Sequence, residues 1–541
     1  MISDISRRRL FGAAALGAAG AALFGGRVAS AAPANVASAP ANRLPDPGTI
    51  TATDPAMLSA VEAASLLQSG RLHPRELLDS LYARTRAHDG VLNSWIRVYP
   101  ELAYVGAEAA AVRLSAARRD GTSAPMLCGL PIALKDLYAV AGLPLTASSK
   151  VLEGNIAAGD SAVWRTLSEA GAVLMGHTHM DEFAWGVLTP QVGNPWDPKR
   201  SVGGSSGGNG AALAARFVPL AVGTDSGGSL RLPAAACGVS SIKPTYGRIP
   251  LDGVIPLIWT MDTAGPMARS LADASLLLTS MSGGAGSVPN GLDGSYPLVA
   301  RGGDRPLSGR VIGVSKHART NAAPEVLRLF EEFLALARDL GAELRDVAMP
   351  ALPNVGSGIL AQMGAYHRQF ANRLGDYQPN LQPSVAQAVA SLAVPVGDFL
   401  TGFQDMKRYQ DDYNRMFADS HLDAIVYPSI KVDGLSREAF AEGEIDPRWA
   451  NYAGVPTISI PVGRSKTTGM PVGVELGGLA WGDADLIQLG LELENAHPVW
   501  RDVPVLADSP RSLPEVRRGP PGPGPDPTNT QGAAAPIAHA L

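Results

Sequence analysis

Two glycine–serine runs constrain this chain more than any other feature. The first is Gly203-Gly204-Ser205-Ser206-Gly207-Gly208-Asn209-Gly210, and the second is Gly223-Thr224-Asp225-Ser226-Gly227-Gly228-Ser229. A run of this composition is most often a flexible linker. That reading is weak here, because the two runs flank a short apolar segment, Val218–Val222, in the middle of the chain. Glycine lets backbone N–H groups line a concavity, so paired loops at one buried strand predict a site where the backbone closes on a ligand. A phosphate-binding loop needs a lysine after its last glycine, and neither run contains one.

The rest of the sequence places that strand in a layered α/β domain. Short apolar runs at Pro131–Leu134, Ala172–Leu174, Val218–Val222, Val311–Val314, Ala424–Tyr427 and Thr457–Val462 read as strands. Helical periodicity appears from Met57 to Gly70, from Pro74 to Arg86, over 101–119, and near 159–170, 271–282, 324–340 and 484–496. Alternation of the two predicts a mostly buried sheet with helices packed against it. Hydrophobic residues make up 46% of the chain and charged residues 18%, enough apolar material for a large core. The formal charge of −5 gives no sign of a nucleic-acid binder, which is usually basic. Two cysteines, Cys128 and Cys237, exclude a disulfide framework and a cysteine-rich zinc module.

The ends read differently. Arg7-Arg8-Arg9 precedes a mild apolar run from Leu10 to Phe24, and Ala29-Ser30-Ala31 follows. This layout predicts a twin-arginine signal peptide over 1–31, export by the twin-arginine machinery, and a periplasmic or secreted mature protein. The apolar run is shorter than the ~20 residues that span a bilayer, so no stable membrane anchor is expected in the mature form. Residues 32–56 are expected to be a flexible lead-in, 57–505 the folded domain, and 506–541 a disordered tail rich in proline and glycine.

Taken together, the runs resemble the amidase signature family. Leu230-Arg231-Leu232-Pro233 and Cys237-Gly238 follow the second run in the family's manner, and Gly129-Leu-Pro-Ile-Ala-Leu-Lys135-Asp136 resembles its lysine strand. Lys243-Pro244-Thr245-Tyr246-Gly247-Arg248, Gly265-Pro266-Met267, Ala453-Gly454-Val455-Pro456 and Gly469-Met470-Pro471-Val472-Gly473 extend the likeness over about residues 57 to 497. The resemblance implies one amidase-signature domain with a central mixed β-sheet. It also implies carboxamide hydrolysis by a Ser–Ser–Lys triad, with Ser229 as nucleophile, Ser205 as bridge and Lys135 as base. A serine hydroxyl needs a base beside it, and a lysine can be that base only when burial keeps it neutral. The resemblance further implies a cis peptide at Gly204–Ser205 and an oxyanion hole from the N–H groups of Ser226, Gly227, Gly228 and Ser229. Ser206 is expected to hydrogen-bond Lys135, and Asp225 and Arg231 to position the loop. Ser226 departs from the threonine or isoleucine common at its place.

Further residues are weighed beside these. Phe183 and Trp185 occupy a segment that often lines the family's acyl pocket, with core packing as the equal alternative. His177 and His179 stand where the family usually has lysine and asparagine; two ligands without a third make a poor metal site. Neither a metal nor a cofactor is expected. The expected substrate is a small-molecule or peptide amide. The alternatives are the glutamine-hydrolysing subunit of a tRNA amidotransferase, or a catalytically silent binding protein.

Overall fold

The computed structural model describes residues 43–282, 294–439, 448–510 and 512–516. The expected signal peptide, residues 32–42 of the lead-in and the tail beyond residue 516 lie outside them. Eleven strands form one sheet: β1 Trp95–Val98, β2 Pro131–Lys135, β3 Val173–Thr178, β4 Leu220–Asp225, β5 Ser240–Lys243, β6 Thr263–Ala268, β7 Val311–Ser315, β8 Glu343–Val347, β9 Ala424–Pro428, β10 Thr457–Arg464 and β11 Pro471–Gly477. Their order is β1-β3-β2-β4-β6-β5-β10-β11-β9-β7-β8. The β3–β2–β4 and β9–β7–β8 groups are parallel, and an antiparallel block joins them. This is the expected mixed α/β sheet.

The apolar runs become the central strands because they are covered on both faces. Every residue of β2, β3 and β4 is buried, as parallel strands between helical layers require. The helices follow local signals. Ser59 caps the helix Ala60–Ser69 in a capping box with Glu62, and Gly70 closes it in a left-handed conformation. Pro74 opens the helix Pro74–Leu92. Among the described residues no single helix is long and apolar enough to cross a membrane.

Both ends of the domain are more ordered than the sequence suggests. In the lead-in, Asp46 and Asp54 cap short turns, and Ser65 Oγ donates to the Pro45 carbonyl. The tail departs from the expectation at its start. Ser509 N–H donates to Ala87 O, Val98 N–H to Pro514 O, and Val516 N–H to Val98 O. Leu513 is buried. The physical reason lies in β1, an edge strand whose outer backbone groups need partners. Residues 514–516 supply them at Val98, although the proline content there hides the pairing in the sequence.

Candidate active site

β2 and β4 run side by side, with Leu134 opposite Val222. Their ends therefore deliver Lys135 and the Thr224–Asp225 pair to one place. The Lys135 side chain is fully buried. Its Nζ donates to Ser205 Oγ at 2.7 Å and to Thr224 Oγ1 at 2.9 Å. Burial lowers its pKa from 10.5 to about 7, against the opposing pull of Asp181, Asp225 and Asp262. Asp136, the next residue, turns to the other face of the strand. It pairs with Arg97 and accepts from Thr146 Oγ1 and Ser148 N–H.

The two glycine–serine runs meet over these strand ends. The Gly204–Ser205 peptide is cis, and the helix Gly207–Ala214 begins directly after Ser206. Ser206 N–H donates to the Ser229 carbonyl at 3.3 Å, which sets the second run against the first. Gly204 is glycine for lack of room, since a Cβ there would lie 2.0 Å from Asp181 Oδ2. Asp181 is buried, and burial pushes its carboxyl up to about 6 although Thr189 donates to it through N–H and hydroxyl. Gly228 holds φ +112°, a conformation that side chains rarely adopt.

Behind the second run lies a buried ionic network. Asp225 accepts from Gly228 N–H, Leu230 N–H, Arg231 Nε and Nη2, and Asn451 Nδ2. Burial would raise its pKa, but the Arg231 guanidinium overrides that and holds it well below the usual carboxylate range. Arg231 also donates to Glu475 Oε2 at 2.7 Å on β11, and Tyr427 donates to the same oxygen. The loop is thus fastened to strands from the far half of the chain.

Several expectations change on contact with this geometry. Gly228 N–H is committed to Asp225, so it is withdrawn from the expected set of oxyanion donors, leaving Ser226, Gly227 and Ser229. Ser206 does not bond Lys135; its hydroxyl turns to the Thr224 carbonyl at 3.4 Å, and Thr224 takes the expected place. Thr224 stood in the quoted run, and its position at the end of a strand beside β2 was the available signal. Phe183 is packed in an aromatic cluster with Tyr366, His367, Phe370 and Tyr377, which is the packing alternative. Trp185 is half-buried against His367. His177 is a core residue: Tyr99 Oη lies 2.6 Å from its Nδ1, and the Tyr138 carbonyl lies 3.1 Å from its Nε2. Burial lowers its pKa to about 4, so it is neutral at pH 7. Among the described residues no three His, Cys, Asp or Glu side chains gather as a metal would need.

The Amidase family profile matches residues 76–487. The A-type component of the glutamyl-tRNA(Gln) amidotransferase of Halorhodospira halophila is 33% identical over 82% of this chain and 98% of its own length. Its counterpart in Streptomyces coelicolor is 31% identical over 84% of this chain and all of its own. Among solved structures, native peptide amidase of Stenotrophomonas maltophilia superposes with a TM-score of 0.70 at 27% identity, covering 84% of this chain and 98% of that one. The chain belongs to the amidase family. It is an enzyme that acts on C–N amide bonds.

Proposed function

We propose that this chain cleaves a carboxamide by nucleophilic catalysis, with Ser229 as nucleophile, Ser205 as proton bridge and Lys135 as base. The observation that carries the reading is the buried Lys135 amine, 2.7 Å from Ser205 Oγ, with burial lowering its pKa to about 7. At neutral pH about half of such lysines are free bases, able to take a proton. Ser229 Oγ attacks the amide carbon, and its proton passes through Ser205 to Lys135. The carbonyl oxygen becomes an oxyanion facing the N–H groups of Ser226, Gly227 and Ser229. Collapse breaks the C–N bond, and ammonia or amine leaves with the proton returned from Lys135. Water then cleaves the acyl-enzyme by the same route, giving the carboxylate.

Two substrates suit this chemistry. Glutamine, with the ammonia passed to a partner enzyme, has the stronger support, because the amidotransferase components match at 31–33% identity over almost their entire length. A free amide hydrolysed by the lone chain is the second reading. The aromatic residues around Trp185 and the likeness to peptide amidase favour it. Export rests on the arginine cluster, apolar run and Ala29-Ser30-Ala31 alone. The purified chain is tested for ammonia release from L-glutamine and from aliphatic and aryl carboxamides, with and without the partner components of an amidotransferase. Glutamine turnover that rises with the partners supports the first reading. Turnover of simple amides by the chain alone supports the second. A folded chain inactive on both overturns the proposal.

A further inference from the structure

Asp262 is a buried carboxylate beside the site that the catalytic scheme leaves unused. It immediately precedes Thr263, which pairs with Asp225 across β6 and β4. Its Oδ1 accepts from Ser226 Oγ at 2.5 Å and from Ile258 N–H at 2.9 Å. Its Oδ2 accepts from Leu257 N–H at 2.8 Å and from Ile258 N–H at 3.0 Å. Burial pushes its carboxyl up from the ordinary carboxylate range, and the Ser226 hydroxyl and the N–H groups of Leu257 and Ile258 oppose that by donating to the ionised form.

The partners belong to two different loops. Ser226 opens the turn that presents Ser229. Leu257 and Ile258 belong to the loop 254–262, which carries Trp259, 61% exposed. That loop is tied outward as well. Thr260 donates through N–H and hydroxyl to Gln362 Oε1 on the helix Gly356–His367, and Tyr246 Oη donates to the Trp259 carbonyl.

We propose that Asp262 is a positioning residue for the amide-cleaving reaction, fixing the Ser226–Ser229 turn through the Ser226 hydroxyl and coupling it to the exposed loop that carries Trp259. The inference deepens the reading of Ser229 as nucleophile and rests on it. It also gives the serine at position 226 a task that isoleucine could not perform and threonine could. The charge of Asp262 has a second effect. Lys135 feels three buried carboxylates, Asp181 on the segment after β3, Asp225 at the end of β4, and Asp262, and each favours its ammonium form. Asp262 in turn faces Lys135 and Ser226, and its charge reaches Tyr138 and Tyr246.

The test measures the rate at which a fluorophosphonate labels Ser229 as a function of pH, which requires no knowledge of the natural substrate. Ser226→Ala should slow labelling about ten- to hundredfold, as a displaced oxyanion donor does, with the pH midpoint unmoved. Ser226→Thr should restore the rate. Asp262→Asn should slow labelling and move the midpoint to lower pH, because Lys135 loses a charge that favours its proton. A purely structural carboxylate would leave that midpoint in place. Wild-type rate and midpoint in both Ser226→Ala and Asp262→Asn would overturn the inference. Should Asp262→Asn not fold, the Ser226→Ala and Ser226→Thr pair decides alone. Labelling that survives Ser229→Ala would count instead against the nucleophile on which the inference rests.

Discussion

Lys135→Met exchanges a buried amine at the end of β2 for an apolar chain of similar length. In the unfolded chain the lysine holds its proton up to about 10.5, and in the folded protein only up to about 7. Between those values the unfolded state binds more protons, so stability rises with pH across that window. Below pH 7 the full cost of burying the amine is present; above 10.5 it is gone. Linkage puts the cost at about 4 kcal/mol at pH 7 and about 1 kcal/mol at pH 10. Methionine removes this cost but also loses the hydrogen bonds to Ser205 and Thr224, together about 1–2 kcal/mol. The variant should therefore be inactive yet more stable than wild type by about 2–3 kcal/mol at pH 7, with the advantage gone by pH 10. Urea unfolding of both proteins at the two pH values measures this. An advantage that fails to appear, or that does not shrink with pH, would refute the argument that burial keeps Lys135 neutral.

Other outcomes follow from the same site. The kcat/KM of the wild type should rise with pH through a midpoint about 7, the value that burial gives Lys135, and a pH–rate series checks it. Arg231→Met should destabilise the fold by about 3–5 kcal/mol in chemical denaturation, because Asp225 and Glu475 are left buried without a counter-charge. Gly204→Ala should abolish turnover, since the new methyl meets the Asp181 carboxylate; near-normal turnover with a folded protein would disprove that crowding. Replacing Arg7 and Arg8 by lysine should retain the protein inside the cell, as fractionation would reveal, if the export reading holds.

The sequence announces strands where burial on both faces yields unbroken apolar runs. β2, β4, β7 and β9 were visible for that reason. β6 was hidden by Gly265-Pro266, and β11 by its opening proline and its interior glycine and glutamate, residues poor in strand propensity. β10 carries its proline at a register shift between Pro461 and Gly463, where a bulge tolerates the missing donor. In the site, Lys135, Ser205 and Ser229 were legible because motif spacing carries them. Glu475 and Asn451 were not, because their partner Arg231 lies more than two hundred residues away in sequence and only the folded sheet brings them together. Asp262 was invisible for a similar reason: its chemistry depends on two loops that the chain reaches at different times.

The reach of Arg231 to Glu475 has a consequence for how the enzyme comes into being. Lys135, Ser205 and Ser229 are all synthesised long before β11. A nascent chain stopped short of residue 451 holds all three groups of the proposed triad, yet Arg231 has neither Asn451 nor Glu475 to meet. Asp225 is then the one buried carboxylate left to pair with Arg231. The ionic network behind the Ser226–Ser229 turn is therefore closed only by the last strands of the chain to be synthesised.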